Sequence, residues 1–205
     1  NLETMEKIDE LNTGIGNAWA ITVDSDGTVF VGGDAKYIYR YNPYTREGKQ
    51  LGYFTSSSTT VFDIVADEND VLYFTGKNKL YSYDQKTDKY TLICASLHAD
   101  GKDTYSIAYS NGYLYVNVYG DANSDGVYTK AIVKYDTKTQ QVVGSVDISK
   151  PLGSNNFVYD IHVVGGDVLI AGNSGLANMV AVDINTMELI DIGIAGGNYG
   201  GVSEE

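Results

Sequence analysis

Asn42-Pro43-Tyr44-Thr45 returns as Asp84-Gln85-Lys86-Thr87, Asp136-Thr137-Lys138-Thr139 and Asp183-Ile184-Asn185-Thr186, about every 40–50 residues, with an earlier copy at Asn1-Leu2-Glu3-Thr4. An Asn or Asp that opens a turn bonds backbone two residues on, and the Thr hydroxyl closes the other side. The signature therefore marks a tight turn and has a mechanism as well as a period. Upstream of each copy stands a β-rich run: Tyr37-Ile38-Tyr39-Arg40-Tyr41, Leu80-Tyr81-Ser82-Tyr83, Ile132-Val133-Lys134-Tyr135 and Met179-Val180-Ala181-Val182.

A second ladder fixes the same units independently. Trp19-Ala20-Ile21, Phe62-Asp63-Ile64, Tyr105-Ser106-Ile107 and Tyr159-Asp160-Ile161 each place an aromatic two residues before an Ile. A polar or Gly-rich turn and another strand follow, as in Asp24-Ser25-Asp26-Gly27 before Val29-Phe30-Val31. Each unit thus reads as four short strands, A to D, and no stretch carries a sustained helical period.

Four strands per repeat predict an all-β fold, a β-propeller of four four-stranded antiparallel blades. One blade cannot cover its own two apolar faces, so neighbours must pack on it. A β-sandwich would repeat less regularly, and solenoid coils are shorter. The 205 residues form a single propeller segment: strand D of a preceding blade in 1–15, blades at about 16–55, 56–98, 99–150 and 151–195, and the start of a further blade in 196–205. Gly197-Asn198-Tyr199-Gly200-Gly201-Val202 mirrors Gly16-Asn17-Ala18-Trp19-Ala20-Ile21. Partial units at both ends would leave unpaired edges, so the expected parent ring has about six to eight blades, closed by further blades or by a second copy.

Ala18-Trp19-Ala20-Ile21-Thr22-Val23-Asp24-Ser25-Asp26-Gly27-Thr28-Val29-Phe30-Val31, followed by Tyr39-Arg40-Tyr41-Asn42-Pro43 and Thr45, resembles the repeats of the streptogramin-lyase-like, NHL and PQQ-type (YVTN-like, quinoprotein-like) propeller superfamily. As repeats, the resemblance covers essentially the whole chain, and it implies the fold. The same scaffold carries lyases, lactonases, dehydrogenases and pure binding modules, so it implies no single activity. Streptogramin lyases use an acid/base His with acidic partners and magnesium on one face of the ring. No local motif here carries those residues across, and the chain holds only two His, His98 and His162.

Charge narrows the partners. A net charge of −13 and a pI near 4.4 disfavour nucleic acid and anionic membranes, because nothing would displace counterions from phosphates. No apolar run is long enough to insert in a membrane. The lone Cys94 excludes an internal disulfide framework and a Cys-based zinc cluster. An acidic, Tyr-rich, Cys-poor sequence without an N-linked glycosylation sequon fits a bacterial secreted or cell-surface protein.

Ligand chemistry is expected on the face that carries the D-to-A and B-to-C connections. The residue between the aromatic and the Ile of strand A varies, and Asp63, Ser106 and Asp160 bring two carboxylates and a hydroxyl to the channel. With His162 they can hold a cation, bind sugar hydroxyls or form an acid/base pair; Asp63, Asp160 and His162 are the catalytic candidates. Alternatively the two aspartates bond backbone amides of the adjacent blade, and His162 is a core histidine. The third B-to-C connection, Asn117 to Lys130, is expected to be the longest loop. It holds Asp121-Ala122-Asn123-Ser124-Asp125-Gly126, the first half of a calcium loop, with Asp121, Asn123 and Asp125 as candidate ligands. Position 12 is Ile132, not Glu, and the same residues also serve as an unmetalated Asx-rich turn. Tyr119, Tyr128 and Tyr199 are the candidate stacking aromatics, whereas the strand-C tyrosines are expected to pack between blades.

No Gly-x-Ser-x-Gly elbow and no His-Glu-x-x-His occurs, so no enzyme declares itself. The reading is a ligand-binding segment for a carbohydrate or small neutral molecule, with calcium as the one candidate cofactor. The alternative is part of a metal-assisted lyase or hydrolase acting on a polysaccharide or lactone. A protein-interaction scaffold is the third.

Overall fold

Five residues that follow the Asx-x-x-Thr signature, Met5, Arg46, Asp88, Gln140 and Met187, all adopt positive φ between 52° and 60°. Asn42 Oδ1 accepts from the amides of Tyr44 and Thr45, and Asp136 and Asp183 repeat the pattern on Lys138 with Thr139 and on Asn185 with Thr186. The left-handed residue then reverses the chain into the next strand. The computed structural model describes residues 3–7, 9–122, 124, 126, 128–149, 157–173 and 179–190.

Around these turns the chain forms four antiparallel sheets, each threaded in sequence order. The first contains β1 (Ala18–Val23), β2 (Val29–Ala35), β3 (Tyr39–Asn42) and β4 (Glu47–Gln50), and β5 (Thr59–Thr60) adds to the far end of β2. The second runs β6 (Ile64–Ala66), β7 (Leu72–Gly76), β8 (Lys79–Asp84) and β9 (Lys89–Cys94). The third runs β10 (Gly101–Ser110), β11 (Tyr113–Ala122), β12 (Tyr128–Asp136) and β13 (Gln141–Asp147). The fourth runs β14 (Val158–Val164), β15 (Val168–Asn173), β16 (Met179–Asp183) and β17 (Glu188–Ile190). This is a four-blade propeller arrangement, with the innermost strands β1, β6, β10 and β14 meeting in that order.

Alternation along each strand sends one set of side chains to each face of a blade. Three apolar cores result, one for each contact between successive blades. Phe30, Ile38 and Leu51 meet Ile64, Phe74 and Tyr83 between the first two blades. Tyr73 and Leu80 meet Ile107, Leu114 and Tyr135 between the second and third, and Ala108 and Tyr115 meet Ile161, Leu169 and Val180 between the third and fourth. The strand-C tyrosines Tyr83 and Tyr135 are buried there, as interblade packing requires.

The sequence reading and the structure part at the third B-to-C connection. Asn117 to Lys130 is mostly ladder rather than loop: Asn117 pairs with Ile132, Tyr119 with Lys130 and Ala122 with Tyr128. The Val and Tyr residues on both arms favour continued pairing, which carries a two-stranded hairpin beyond the blade. Strand A of the second blade is conversely shorter than read, since β6 begins only at Ile64.

Candidate functional site

Every full blade brings one aromatic side chain of its aromatic-x-Ile segment into a common row: Trp19 and Tyr159 are the second residues of β1 and β14, Tyr105 lies midway along β10, and Phe62 stands just before β6. Trp19 and Phe62 lie 5.7 Å apart between ring centroids, Phe62 and Tyr105 4.7 Å, and Tyr105 and Tyr159 5.5 Å. The four rings form a continuous belt across the four blades. Three of them sit where the strand register shifts: between Ala18 and Ala20, between Thr104 and Ile107, and between Val158 and Asp160. A bulge of this kind leaves one residue unpaired and re-aims its side chain. The sequence ladder revealed the positions, but the bulges, which re-aim the rings, are a property of the backbone.

Close backbone approach holds the bulges. At Gly33 a Cβ would come within 1.9 Å of the Asn17 carbonyl oxygen, so no other residue fits beside the first bulge. At the third blade Asn117 does the corresponding work with its side chain. Its Oδ1 accepts from the amides of Tyr105 at 2.9 Å and Ser106 at 3.3 Å, and its Nδ2 donates to the Val158 carbonyl at 2.7 Å. Buried Asn117 thus positions Tyr105 and ties the third blade to the fourth.

The projecting hairpin widens the belt. Tyr119 and Tyr128 stack at 5.3 Å with 18° between planes, and Tyr119 meets Phe157 at 4.7 Å, which in turn meets Tyr105 at 5.2 Å. Tyr119 and Tyr128 were expected as loop aromatics; they are strand residues, and they join the belt directly, Tyr119 lying 6.3 Å from Tyr105, and through Phe157, which sequence reasoning did not single out. Tyr199 lies outside the described residues. Trp19 is 56% and Tyr159 55% exposed, so the belt is open to solvent at both ends. Between Phe62 and Tyr105 opens a cavity of about 300 Å³, lined by Ser58, Thr59, Thr60 and Thr104 with Lys77 and Asp103.

Beneath the belt lie the polar channel residues. Asp63 Oδ1 accepts from its own neighbour's amide, Ile64, at 2.8 Å, while Oδ2 accepts from Ser106 Oγ at 2.7 Å and the Ile107 amide at 3.0 Å. Ser106 Oγ in turn accepts from the Ile161 amide at 3.2 Å. Asp63 and Ser106 therefore each latch the following blade. Burial pushes the Asp63 carboxyl above its ordinary range, opposed by the hydrogen bonds from Ile107 and Ser106 and reinforced by nearby Asp160.

Asp160 is different. Its side chain is largely exposed, its Oδ1 lies 3.4 Å from Ser106 Oγ, and its Oδ2 lies 3.0 Å from His162 Nε2. His162 is exposed too, contrary to the expectation of a core histidine, because it lies on the face of β14 turned away from the third blade. The carboxylate and imidazole form an accessible hydrogen-bonded pair. Of the calcium candidates, Asp121 is the last residue but one of β11 and is ion-paired with Lys102 Nζ; Asn123 and Asp125 lie outside the described residues. Among the described residues no group of three or more acidic, His or Cys side chains is placed to hold a metal.

No protein-family model matches the chain, and no curated protein matches it. Solved structures do. The extracellular domain of BT4673 from B. thetaiotaomicron, described as a one component system, is 15% identical with a TM-score of 0.62, over 90% of this chain and 23% of that one. A second structure of that domain, described as a hybrid two component system, is 16% identical with a TM-score of 0.60, over 85% of this chain and 22% of that one. The likeness is one of fold, and this chain spans less than a quarter of the length of either. Among the described residues no helix is long and apolar enough to cross a membrane.

Proposed function

We propose that this chain is the ligand-binding part of a secreted or cell-surface propeller that takes a neutral carbohydrate on the aromatic belt. The observation that carries this is the continuity of the rings from Trp19 to Tyr159, with open ends and with hydroxyls and carboxylates set among them. Flat aromatic faces suit the C–H faces of pyranose rings, and Asp, Ser and Thr side chains suit their hydroxyl edges. The charge of −13 selects against polyanionic glycans. Likeness in fold to an extracellular domain supports the compartment.

Calorimetry with neutral oligosaccharides of increasing length tests the reading. Affinity should rise as the oligomer grows long enough to cover successive rings and should fall about tenfold, roughly 1.4 kcal/mol, on Tyr105→Ala. Equal affinity for monomer and oligomer would contradict it. The half-loop at Asp121 enters the proposal only as a calcium site that would anchor the hairpin, and calcium there must displace Lys102. A calcium-dependent melting shift that survives Asp121→Ala would remove it.

One observation favours a second reading. The exposed Asp160 and His162 pair, 3.0 Å apart at the channel, is where a lyase or hydrolase would exchange protons. Glycan cleavage abolished by His162→Gln with binding retained would establish that reading over pure binding.

A further inference from the structure

Four equivalent isoleucines occupy the aromatic-x-Ile position, and three of them, Ile64, Ile107 and Ile161, are each 2% exposed against the preceding blade. The fourth, Ile21, is 68% exposed, and Val23 beside it is 54% exposed, whereas its counterparts Ala66, Tyr109 and Val163 pack into interblade cores. The first blade thus presents, bare, the same face that every later blade buries.

The fourth blade presents the complementary face. Ladder pairing aligns His162, Ile170, Ala181 and Ile190 in one row across it. The corresponding row of the third blade is Ala108, Tyr115, Lys134 and Gly144, and this row seats the fourth blade: Ala108 and Tyr115 pack on Ile161 and Leu169, and Lys134 Nζ donates to the Ile184 carbonyl at 2.6 Å. On the fourth blade the same surface leaves Val164, Met179 and Ile190 exposed.

The latch series ends in the same place. Asp63 binds the Ile107 amide and Ser106 the Ile161 amide, each in the next blade, and Asp160 is the next member of that series. At the other end, Met5 repeats the left-handed φ that follows the turn signature, and Thr4 Oγ1 donates to Glu6 as Thr45 Oγ1 does to Glu47. This is a C-to-D turn that belongs to no blade among β1–β17.

The geometry points to both end faces being seats for further blades of the same repeat within one longer polypeptide. The following blade donates a backbone amide to Asp160, as Ile107 does to Asp63 and Ile161 to Ser106; the preceding blade contributes the turn at residues 3–7. Continuity with three formed interfaces of the same construction carries the choice of occupant, and the turn at Met5 favours the same polypeptide over a second copy.

Peroxide oxidation of the methionines, read by mass spectrometry, tests this in the polypeptide as its source makes it and in the 205-residue chain. Met179 should oxidise about tenfold more slowly in the source polypeptide than in the chain alone, as burial of its sulfur dictates. Equal rates overturn the inference. So does concentration-dependent protection in the chain alone with sedimentation as a dimer, which would make a second copy the occupant. If the chain alone does not fold, the source polypeptide decides: Ile170→Asp should lower its melting temperature as Tyr115→Asp does, and an unchanged melting temperature overturns the inference.

Discussion

Ser106 Oγ donates to Asp63 Oδ2 across 2.7 Å and accepts the Ile161 amide at 3.2 Å, so one hydroxyl joins the second, third and fourth blades. Ser106 is completely buried. Ser106→Ala leaves a buried amide and one bond fewer on a buried carboxylate, which should cost about 1–3 kcal/mol in chemical denaturation. Asp63→Ala should cost a similar amount, and the double variant less than the sum of both, since the two residues share one network. Strict additivity would show that the latches act independently.

Asp63 also sets a pH dependence opposite to that of Asp70 and Glu68. Its folded pKa is raised above the ordinary 3.8, so the folded state holds the proton more tightly than the unfolded chain. Its contribution to stability therefore falls as pH rises from the ordinary value through the raised one, and is unchanged above that. Asp70, held by Ser25, and Glu68, held by Tyr109, are lowered from 3.8 and 4.5. Both bonds cross blade boundaries, and the stability they add is present above those values and lost as pH falls below them. Ser25→Ala removes the hydroxyl donor to Asp70, so it should lower the melting temperature slightly above the ordinary carboxylate range and make the acid limb shallower, the two profiles converging at low pH.

The left-handed turn residue is a site for gain. Arg46, at a φ of 60°, bears the cost of a side chain in a conformation that glycine adopts freely. Arg46→Gly should leave stability unchanged or raise it by roughly 0.5 kcal/mol, the strain relieved being partly offset by a more flexible unfolded chain. A loss beyond 1 kcal/mol, on the order of what glycine costs in a regular strand, would contradict the geometry.

These residues also show what the sequence could and could not disclose. The Asx-x-x-Thr turns and the aromatic-x-Ile ladder were legible because each repeat needs the same local chemistry at the same place. The left-handed position after the turn was not, since Met, Arg, Asp, Gln and Met fill it and glycine never does. The belt was half legible: Trp19, Phe62, Tyr105 and Tyr159 stand in register in the sequence, but the bulges that aim three of them follow from Gly33, Asn117 and long-range pairing. Phe157 carries no signal of its own and gains its place through its contacts with Tyr119, Tyr105 and Tyr159. The two readings of the aspartates were inseparable by sequence, because whether an Asp meets an amide depends on the neighbouring blade. The structure engages Asp63 with Ile107 and leaves Asp160 largely exposed.

Asn117 offers a test of the link between scaffold and belt. Asn117→Asp keeps the acceptor for Tyr105 and Ser106 but loses the donor to Val158, and places a charge in a buried site. It should lower stability by about 2–4 kcal/mol, the range for an unsatisfied buried polar group with added charge. Asn117→Ser, which is too short to span the bulge, should lower ligand affinity more than Tyr128→Ala does. The reverse order would separate the belt from its support.

Trp19 is the chain's one tryptophan, and it stands at the open end of the belt against Phe62. Its fluorescence therefore reports the site directly. Titration with a neutral oligosaccharide should shift the emission to shorter wavelength and saturate, and Phe62→Ala should weaken the apparent affinity. An emission spectrum unmoved by every neutral oligosaccharide, in a protein shown to be folded, would contradict carbohydrate binding on the belt.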